Sequence, residues 1–204
     1  MKVKVCGIKH QDNLEALAAL TIDMIGLNFY SPSKRYVAPD TKLNTEALPE
    51  SIAKVGVFVN ALPATLAKKQ KEYNLDYLQL HGDEDLKAVT QAQKIAKVIK
   101  VFRVNEAFDF NLTEEFDSVD LFLFDTYTDQ YGGSGKKFDW NILKKYKGST
   151  PFLLAGGLNP SSAEALSKWT HPQLCGVDIN SGFEITPGLK DTKKVAQFLN
   201  QFKK

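Results

Sequence analysis

The stretch Pro151–Asp191, PFLLAGGLNPSSAEALSKWTHPQLCGVDINSGFEITPGLKD, decides how the chain is read. It holds two apolar runs, PFLLA and CGVDI, and each ends in a small-residue turn, Gly156-Gly157 and Ser181-Gly182. Turns of this composition let backbone N–H groups approach an anion closely. Between the runs, Asn159-Pro160-Ser161-Ser162 offers an N-cap and then a proline at the first helical position, so a helix starts after the first turn. Two adjacent strand-to-loop turns rich in N–H groups are how a (β/α)₈ barrel holds a phosphate after its seventh and eighth strands. Two ordinary glycine turns would look the same, and the rest of the chain separates the readings.

Six more units of the same kind precede this stretch. Val3–Cys6 alternates and stops at Gly7, and Gln11–Leu20 follows with helical spacing. Met24–Phe29 is rich in β-formers and leads into a polar loop, Tyr30–Tyr36, that carries SPSKR. The segment Thr41–Ala53 is expected to contain a helix interrupted or started near Pro49. Lys54–Val59 reads as a strand, Pro63 opens an amphipathic helix to about Tyr73, and Tyr77–Leu80 is a strand ending at His81-Gly82. Asp85–Gln93 looks helical, Ile95–Arg103 contains a strand, and a poorly patterned stretch runs to Asp117. Leu121–Phe124 is fully apolar and ends in Asp125-Thr126, before the glycine-rich loop Tyr131–Gly135 and a helix near Trp140–Lys147. Thr192–Phe202 closes the chain with a period of 3.6, and its lysines, from Lys190 to Lys204, read as a solvated face.

β-rich runs thus alternate with helical patterns at roughly 25-residue intervals, which argues for right-handed βα units around a parallel sheet. The expected architecture is a single-domain (β/α)₈ (TIM) barrel spanning residues 1–204; an open flavodoxin-like sheet would need fewer strands. Cys6, Asn28, Asn60, His81, Arg103, Asp125, Gly156 and Asp178 all fall at the ends of their runs. In a barrel those ends converge on the face where active sites of this fold lie.

Composition narrows the function. A chain of 204 residues with 43% hydrophobic and 25% charged content is that of a globular protein, short for eight βα units. No apolar run reaches the roughly 20 residues of a membrane span, and Met1-Lys2-Val3 leads into a strand rather than a signal peptide. A net charge of +2 and evenly spread lysines argue against nucleic acid as a partner. Cys6 and Cys175 form no disulfide framework and fit a reducing cytoplasm, and His10, His81 and His171 have no metal-ligand spacing. No metal is expected, and either a monomer or a homodimer is compatible with the chain.

The specific motifs are KVCGIK at Lys4–Lys9, GLNFYSPSKRYV at Gly26–Val37, VGVFV at Val55–Val59 and LQLHGDE at Leu78–Glu84. They continue with FDTYTDQYGGSGKKFDW at Phe124–Trp140, LAGGLNP at Leu154–Pro160 and GVDINSGFEITPGLKD at Gly176–Asp191. This ordered set, covering every strand end, resembles the phosphoribosylanthranilate isomerase family. The loop reads SPSKR where that family more often has SPR, so Arg35 or Lys34 could meet the substrate. Asn180 stands where a serine is common.

The resemblance implies a cofactor-free Amadori rearrangement of N-(5-phosphoribosyl)anthranilate, a small phosphorylated substrate, in tryptophan biosynthesis. Such a reaction needs an acid for the furanose oxygen and a base for the C2′ proton. Asp125 is the candidate acid, since partial burial raises a carboxyl pKa. Cys6 is the candidate base if its thiolate is favoured. Cys175 reads as a small core residue near the opposite barrel end. Arg35 is the expected partner of the substrate carboxylate, because a guanidinium binds carboxylate bidentately. His81 is either a turn residue or a ligand contact. Asp178 touches either the ribulose hydroxyls or the phosphate loops, and Gly156, Gly157, Ser181 and Gly182 are expected to bind the phosphate.

Four other readings compete. The related isomerase of histidine biosynthesis should carry an aspartate where this chain has Cys6, and indole-glycerol-phosphate synthase a strand-end Lys–Glu pair. A silent phosphate-sensing barrel should have lost the acid or the base. A thiol hydrolase built on Cys6 needs an activating histidine, and His10, the nearest in sequence, falls in the following loop.

Overall fold

The computed structural model describes residues 1–127 and 139–203. The loop Tyr131–Gly135 lies outside the described residues. Eight parallel strands close into a barrel in chain order: β1 (Lys2–Cys6), β2 (Met24–Asn28), β3 (Ala53–Phe58), β4 (Tyr77–Leu80), β5 (Lys97–Val104), β6 (Leu121–Thr126), β7 (Phe152–Leu154) and β8 (Leu174–Ile179). β8 pairs back onto β1, with Lys4 opposite Asp178. A short hairpin of β9 (Glu184–Thr186) and β10 (Leu189–Lys190) follows.

The alternation of each strand sorts its side chains into two layers. Met24, Val55, Ile99, Val101, Leu121, Leu123, Leu153 and Ala155 form an apolar plug inside the lower barrel. Residues of the other parity, such as Val3, Val5, Ile25, Leu78, Phe124 and Ile179, belong to the larger core between strands and helices. The β7–β8 pairing skips Cys175, because Phe152 faces Leu174 while Leu153 faces Gly176. That extra residue resets the alternation. Cys175 packs against the lower plug, while Asp178, three residues on, reaches Lys4.

The outer layer holds α1 (Gln11–Ala18), α2 (Pro63–Tyr73), α3 (Leu86–Gln93), α4 (Ala163–Lys168) and α5 (Thr192–Phe202). Asp85 caps α3 by accepting from the Ala88 N–H, and Asp191 caps α5. Among the described residues no helix is long and apolar enough to cross a membrane.

Three stretches depart from the regular pattern. The helix expected in Thr41–Ala53 does not form; the segment runs in turns. Its side chains bond locally instead, with Asn44 Oδ1 accepting from the Glu46 N–H, and Pro49 interrupts any helical ladder. Leu48 and Ile52 still reach the core. Among the described residues after β5 and β6 the helical structure is confined to 3₁₀ turns, at Phe110–Phe116 and Trp140–Lys145, the second being shorter and tighter than the helix expected to Lys147.

Aromatic rings fill the wall behind those turns. Phe124 packs within 5.0–6.1 Å (ring centroids) of Phe102, Phe110, Phe122, Tyr146 and Phe152. Truncating a ring at the centre of such a cluster removes burial and edge-to-face contacts together. Phe124→Ala should therefore destabilise the fold by about 3–5 kcal/mol, read from the urea midpoint at unchanged slope. A loss below about 1 kcal/mol would show that the wall does not depend on this cluster.

Candidate active site

The site begins with the inward positions of β1. Lys4 and Cys6 are two residues apart on a strand and so share a face, and both are buried. Lys4 Nζ donates to Asp178 Oδ2 at 3.0 Å, while Asp178 Oδ1 is buried with no hydrogen-bond partner. Burial pushes the Asp178 carboxyl up from its ordinary pKa; Lys4 opposes this, and the charges of Asp125 and His81 also reach it. Burial alone would lower Lys4, but the charges of Asp178 and Cys6 outweigh it and hold the ammonium up. Burial likewise pushes the Cys6 thiol up, with Lys4 the largest opposing influence. Across the β1–β2 ladder Cys6 faces Gly26, and a Cβ there would lie 2.7 Å from Cys6 Sγ. The glycine makes room for the sulfur.

Asp125 ends β6. Its Oδ1 accepts from the Thr126 N–H at 2.7 Å, and its Oδ2 lies 3.5 Å from His81 Nε2. That separation brings the two side chains close without a hydrogen bond, which agrees with Nε2 being buried and unpartnered. The Gln79 amide meets His81 Nδ1 at 3.1 Å, and donation from the amide would place the ring proton on Nε2, facing Asp125. The turn after His81 is fixed separately. Glu84 accepts from the N–H groups of Gly82 and Asn60 and pairs with Lys100 at 3.0 Å. His81 is therefore both a turn residue and a member of the polar cluster.

Arg35 reaches the mouth from the loop after β2. Its stem crosses Gly7, whose φ of +77° and lack of Cβ admit it; a Cβ would sit 2.6 Å from Arg35 Cδ. The Nε–Nη2 edge of the guanidinium is bidentate to Glu184, at 2.8 and 2.6 Å. Glu184 also accepts from Lys190 Nζ, which donates in turn to Asn180 Oδ1. Burial alone would raise Glu184, but the Arg35 and Lys190 contacts outweigh it and hold the carboxyl below its usual range. Lys34 is exposed, and its carbonyl accepts from Lys9.

The two small-residue turns meet at the ends of β7 and β8. Gly156 and Gly157 adopt φ of +89° and +62°. A Cβ on Gly156 would strike Thr126 Oγ1 at 2.1 Å and lie 3.1 Å from Asp125 Oδ1, so this turn packs directly on the Asp125 corner. A Cβ on Gly182 would meet the Leu158 carbonyl at 2.1 Å, which presses the two turns together. Asn159 and Ser162 form a capping box around Pro160–Ser162, while Ser181–Phe183 is a single 3₁₀ turn.

Cys6, His81, Asp125 and Asp178 thus share one electrostatic cluster, with Arg35 across Gly7 and the Gly156 turn beside Asp125. Cys175 lies at the other end, beside a cavity also lined by Met1, Lys2 and Phe202. Sequence reasoning did not single out Lys4, Gln79, Glu184 or Lys190. For Lys190 it was wrong: the residue is fully buried and precedes α5 rather than lying on a solvated face. The available signal was parity, since Lys4 has the same inward parity as Cys6 in KVKVC. Among the described residues no group of three or more His, Cys, Asp or Glu side chains could hold a metal ion.

Residues 3–201 match the family model of N-(5′-phosphoribosyl)anthranilate (PRA) isomerase. The chain is 48% identical to the N-(5′-phosphoribosyl)anthranilate isomerase of Parabacteroides distasonis, over 98% of this chain and 93% of that protein. It superimposes on the phosphoribosyl anthranilate isomerase of Thermotoga maritima with a TM-score of 0.89 at 32% identity, covering 100% and 98% of the two chains. A further structure with a TM-score of 0.86 and 28% identity, covering 100% and 98%, holds reduced 1-(o-carboxyphenylamino)-1-deoxyribulose 5-phosphate.

The Arg35–Glu184–Lys190 cluster makes stability depend on pH. Because the folded Glu184 pKa is depressed, its contribution is present above the unfolded glutamate value of about 4.3 and is lost as pH falls through the folded value. Glu184→Gln would leave two cations facing each other, and should cost about 3–5 kcal/mol at neutral pH while flattening the acid limb of the stability profile. Denaturant titrations at several pH values measure both, and an unaltered acid limb would remove Glu184 from that role.

Proposed function

This chain belongs to the N-(5′-phosphoribosyl)anthranilate isomerase family, and from that membership we propose that Cys6 is the general base of the reaction and Asp125 the general acid. The enzyme isomerises phosphoribosylanthranilate in tryptophan biosynthesis. The observation that carries the assignment is that Cys6 and Asp125 lie at the C-terminal ends of β1 and β6, with Asp178 of β8 acting on Cys6 and itself reached by the charge of Asp125.

In this reading Asp125 donates its proton to the furanose oxygen. The C1′–O bond breaks as the anthranilate nitrogen lone pair forms an iminium. The Cys6 thiolate then takes the C2′ proton, and the C–H electron pair becomes the C1′=C2′ bond of an enolamine, neutralising the iminium. Proton transfer to C1′ and loss of the enol proton give the ketone. The Thr126 N–H, 2.7 Å from Asp125 Oδ1, holds the acid's orientation beside His81, and the unpartnered Oδ1 of Asp178 accepts from a sugar hydroxyl.

The substrate's two anions anchor it at either side. The backbone N–H groups of Gly156, Gly157, Ser181 and Gly182 suit the phosphate, supported by the close packing of the two turns and the positive φ of both glycines in the first. Arg35 takes the anthranilate carboxylate rather than Lys34, because its guanidinium is held in the mouth while Lys34 faces solvent. With Glu184 on the Nε–Nη2 edge, the Nη1–Nη2 edge is the one that meets the substrate.

Steady-state rates with freshly generated substrate test the assignment. Asp125→Asn and Cys6→Ala should each lower kcat by about 10²–10⁴-fold, whereas Cys175→Ala should leave it nearly intact. Arg35→Ala should instead weaken binding, by roughly 2–5 kcal/mol for a desolvated pair. Near-normal turnover in Cys6→Ala would mean that another group takes the C2′ proton.

A further inference from the structure

The inner layers of a (β/α)₈ barrel are normally packed with branched apolar side chains. Here Lys4 occupies an inward position with no solvent exposure, immediately below the strand-end Cys6. Its ion pair with Asp178 spans the β1–β8 seam, where the two residues are direct register partners. Apolar replacement of a buried pair is often neutral or stabilising, so stability alone gives no reason for a lysine at this position. Its neighbour gives one. A thiol in a dry environment resists ionisation unless a cation stands beside it.

We propose that Lys4 is a positioning residue for the reaction, its ammonium held by Asp178 beneath Cys6 so that the sulfur can exist as the thiolate that accepts the C2′ proton. This rests on the assignment of Cys6 as the base. On the strand, Lys4 lies two residues from Cys6 on the same inward face, and its charge is the strongest counterweight to the burial that pushes the thiol up. Asp178 acts on Cys6 in the opposite sense, and Lys190 of β10 adds a weaker favourable charge. Asp125 and His81 face Asp178 from β6 and the turn after β4. Gly26, on the β2 side, brings no charge. The two members of the Lys4–Asp178 pair should therefore move the Cys6 titration in opposite directions, which a structural ion pair would not do.

The chain has only two cysteines, so a carbon-13 label at cysteine Cβ reports Cys6 and Cys175 separately in the unliganded enzyme. Followed by NMR against pH, Lys4→Met should raise the Cys6 midpoint by about one pH unit or more, tenfold less thiolate below it. Asp178→Asn should lower the midpoint, Lys4→Arg should keep it near that of the parent, and Cys175 should stay unmoved throughout. The double variant Lys4→Met/Asp178→Asn leaves no unpaired buried charge and keeps the test open if Lys4→Met fails to fold. Its Cys6 midpoint should still lie above the parent's, because the lysine outweighs the aspartate. A Cys6 midpoint that stays put, or moves the same way in both single variants, overturns the proposal. The profile of kcat/KM against pH should shift with the thiol in whichever lysine variant folds. Should the thiol shift while that profile does not, Lys4 has no role in the reaction; full activity of Cys6→Ala separately removes the base on which the proposal rests.

Discussion

Lys4, Lys100 and Lys190 have almost no contact with solvent, yet each carries an ammonium group that must be neutralised where it lies. Each faces a buried carboxylate, Asp178, Glu84 and Glu184, at 3.0, 3.0 and 2.6 Å. An unpaired charge in such a place costs about several kcal/mol, so each pair must stay closed in the folded chain. The pairs also fix geometry. Lys4–Asp178 pins the β1–β8 seam, Glu84 gathers the ends of β3 and β4, and Glu184 joins Arg35 of the second loop to the chain after β8. These pairs lie at or above the barrel's middle, whereas the lower interior is a plug of aliphatic side chains. Among the described residues, desolvated charge thus gathers towards the end of the barrel where the candidate acid and base stand.

Most of the barrel was legible because strand and helix periods are local properties. Each of the eight runs became a strand, and the closing period over Thr192–Phe202 matches α5 to the residue. Legibility failed where tertiary contacts replace local pattern. Behind β5 and β6 a ring cluster does the work of helices, and apolar content alone cannot distinguish the two. Between β2 and β3 the buried Leu48 and Ile52 resemble a helical face, but Pro49 and the Asn44 side chain impose turns. The β8 bulge at Cys175 is equally hidden, because its signature is a skipped partner on β7 rather than any residue type.

The same limit governed the site. Cys6, Asp125, His81 and Asp178 could be placed because strand ends converge in a closed barrel. The lysines beneath and beside them could not, since hydropathy treats any lysine as a solvent-facing residue. Lys190 shows the cost of that assumption: grouped with the exposed lysines of α5, it is in fact enclosed by Glu184, Asn180 and the backbone clamp from Asn13. A buried lysine can be expected from sequence only with its carboxylate, and Asp178 lies 174 residues from Lys4.

On the proposed reading, the layout of the mouth follows from the substrate's shape. Phosphate and carboxylate are its two strong charges, and the bonds that change lie between them at C1′ and C2′. Gripping both ends positions the middle, and binding energy gained far from the reacting carbons then serves orientation rather than mere retention. The grips must also be stiff, because a displaced anchor misplaces the reacting atoms. The phosphate turns meet this condition through contacts too close for any side chain at Gly156 or Gly182, and Arg35 meets it through Glu184 and the passage over Gly7. A glycine at position 7 therefore serves two purposes at once: it ends β1 next to Cys6, the proposed base, and lets Arg35, the proposed carboxylate-binding arm, cross over the residue that follows Cys6.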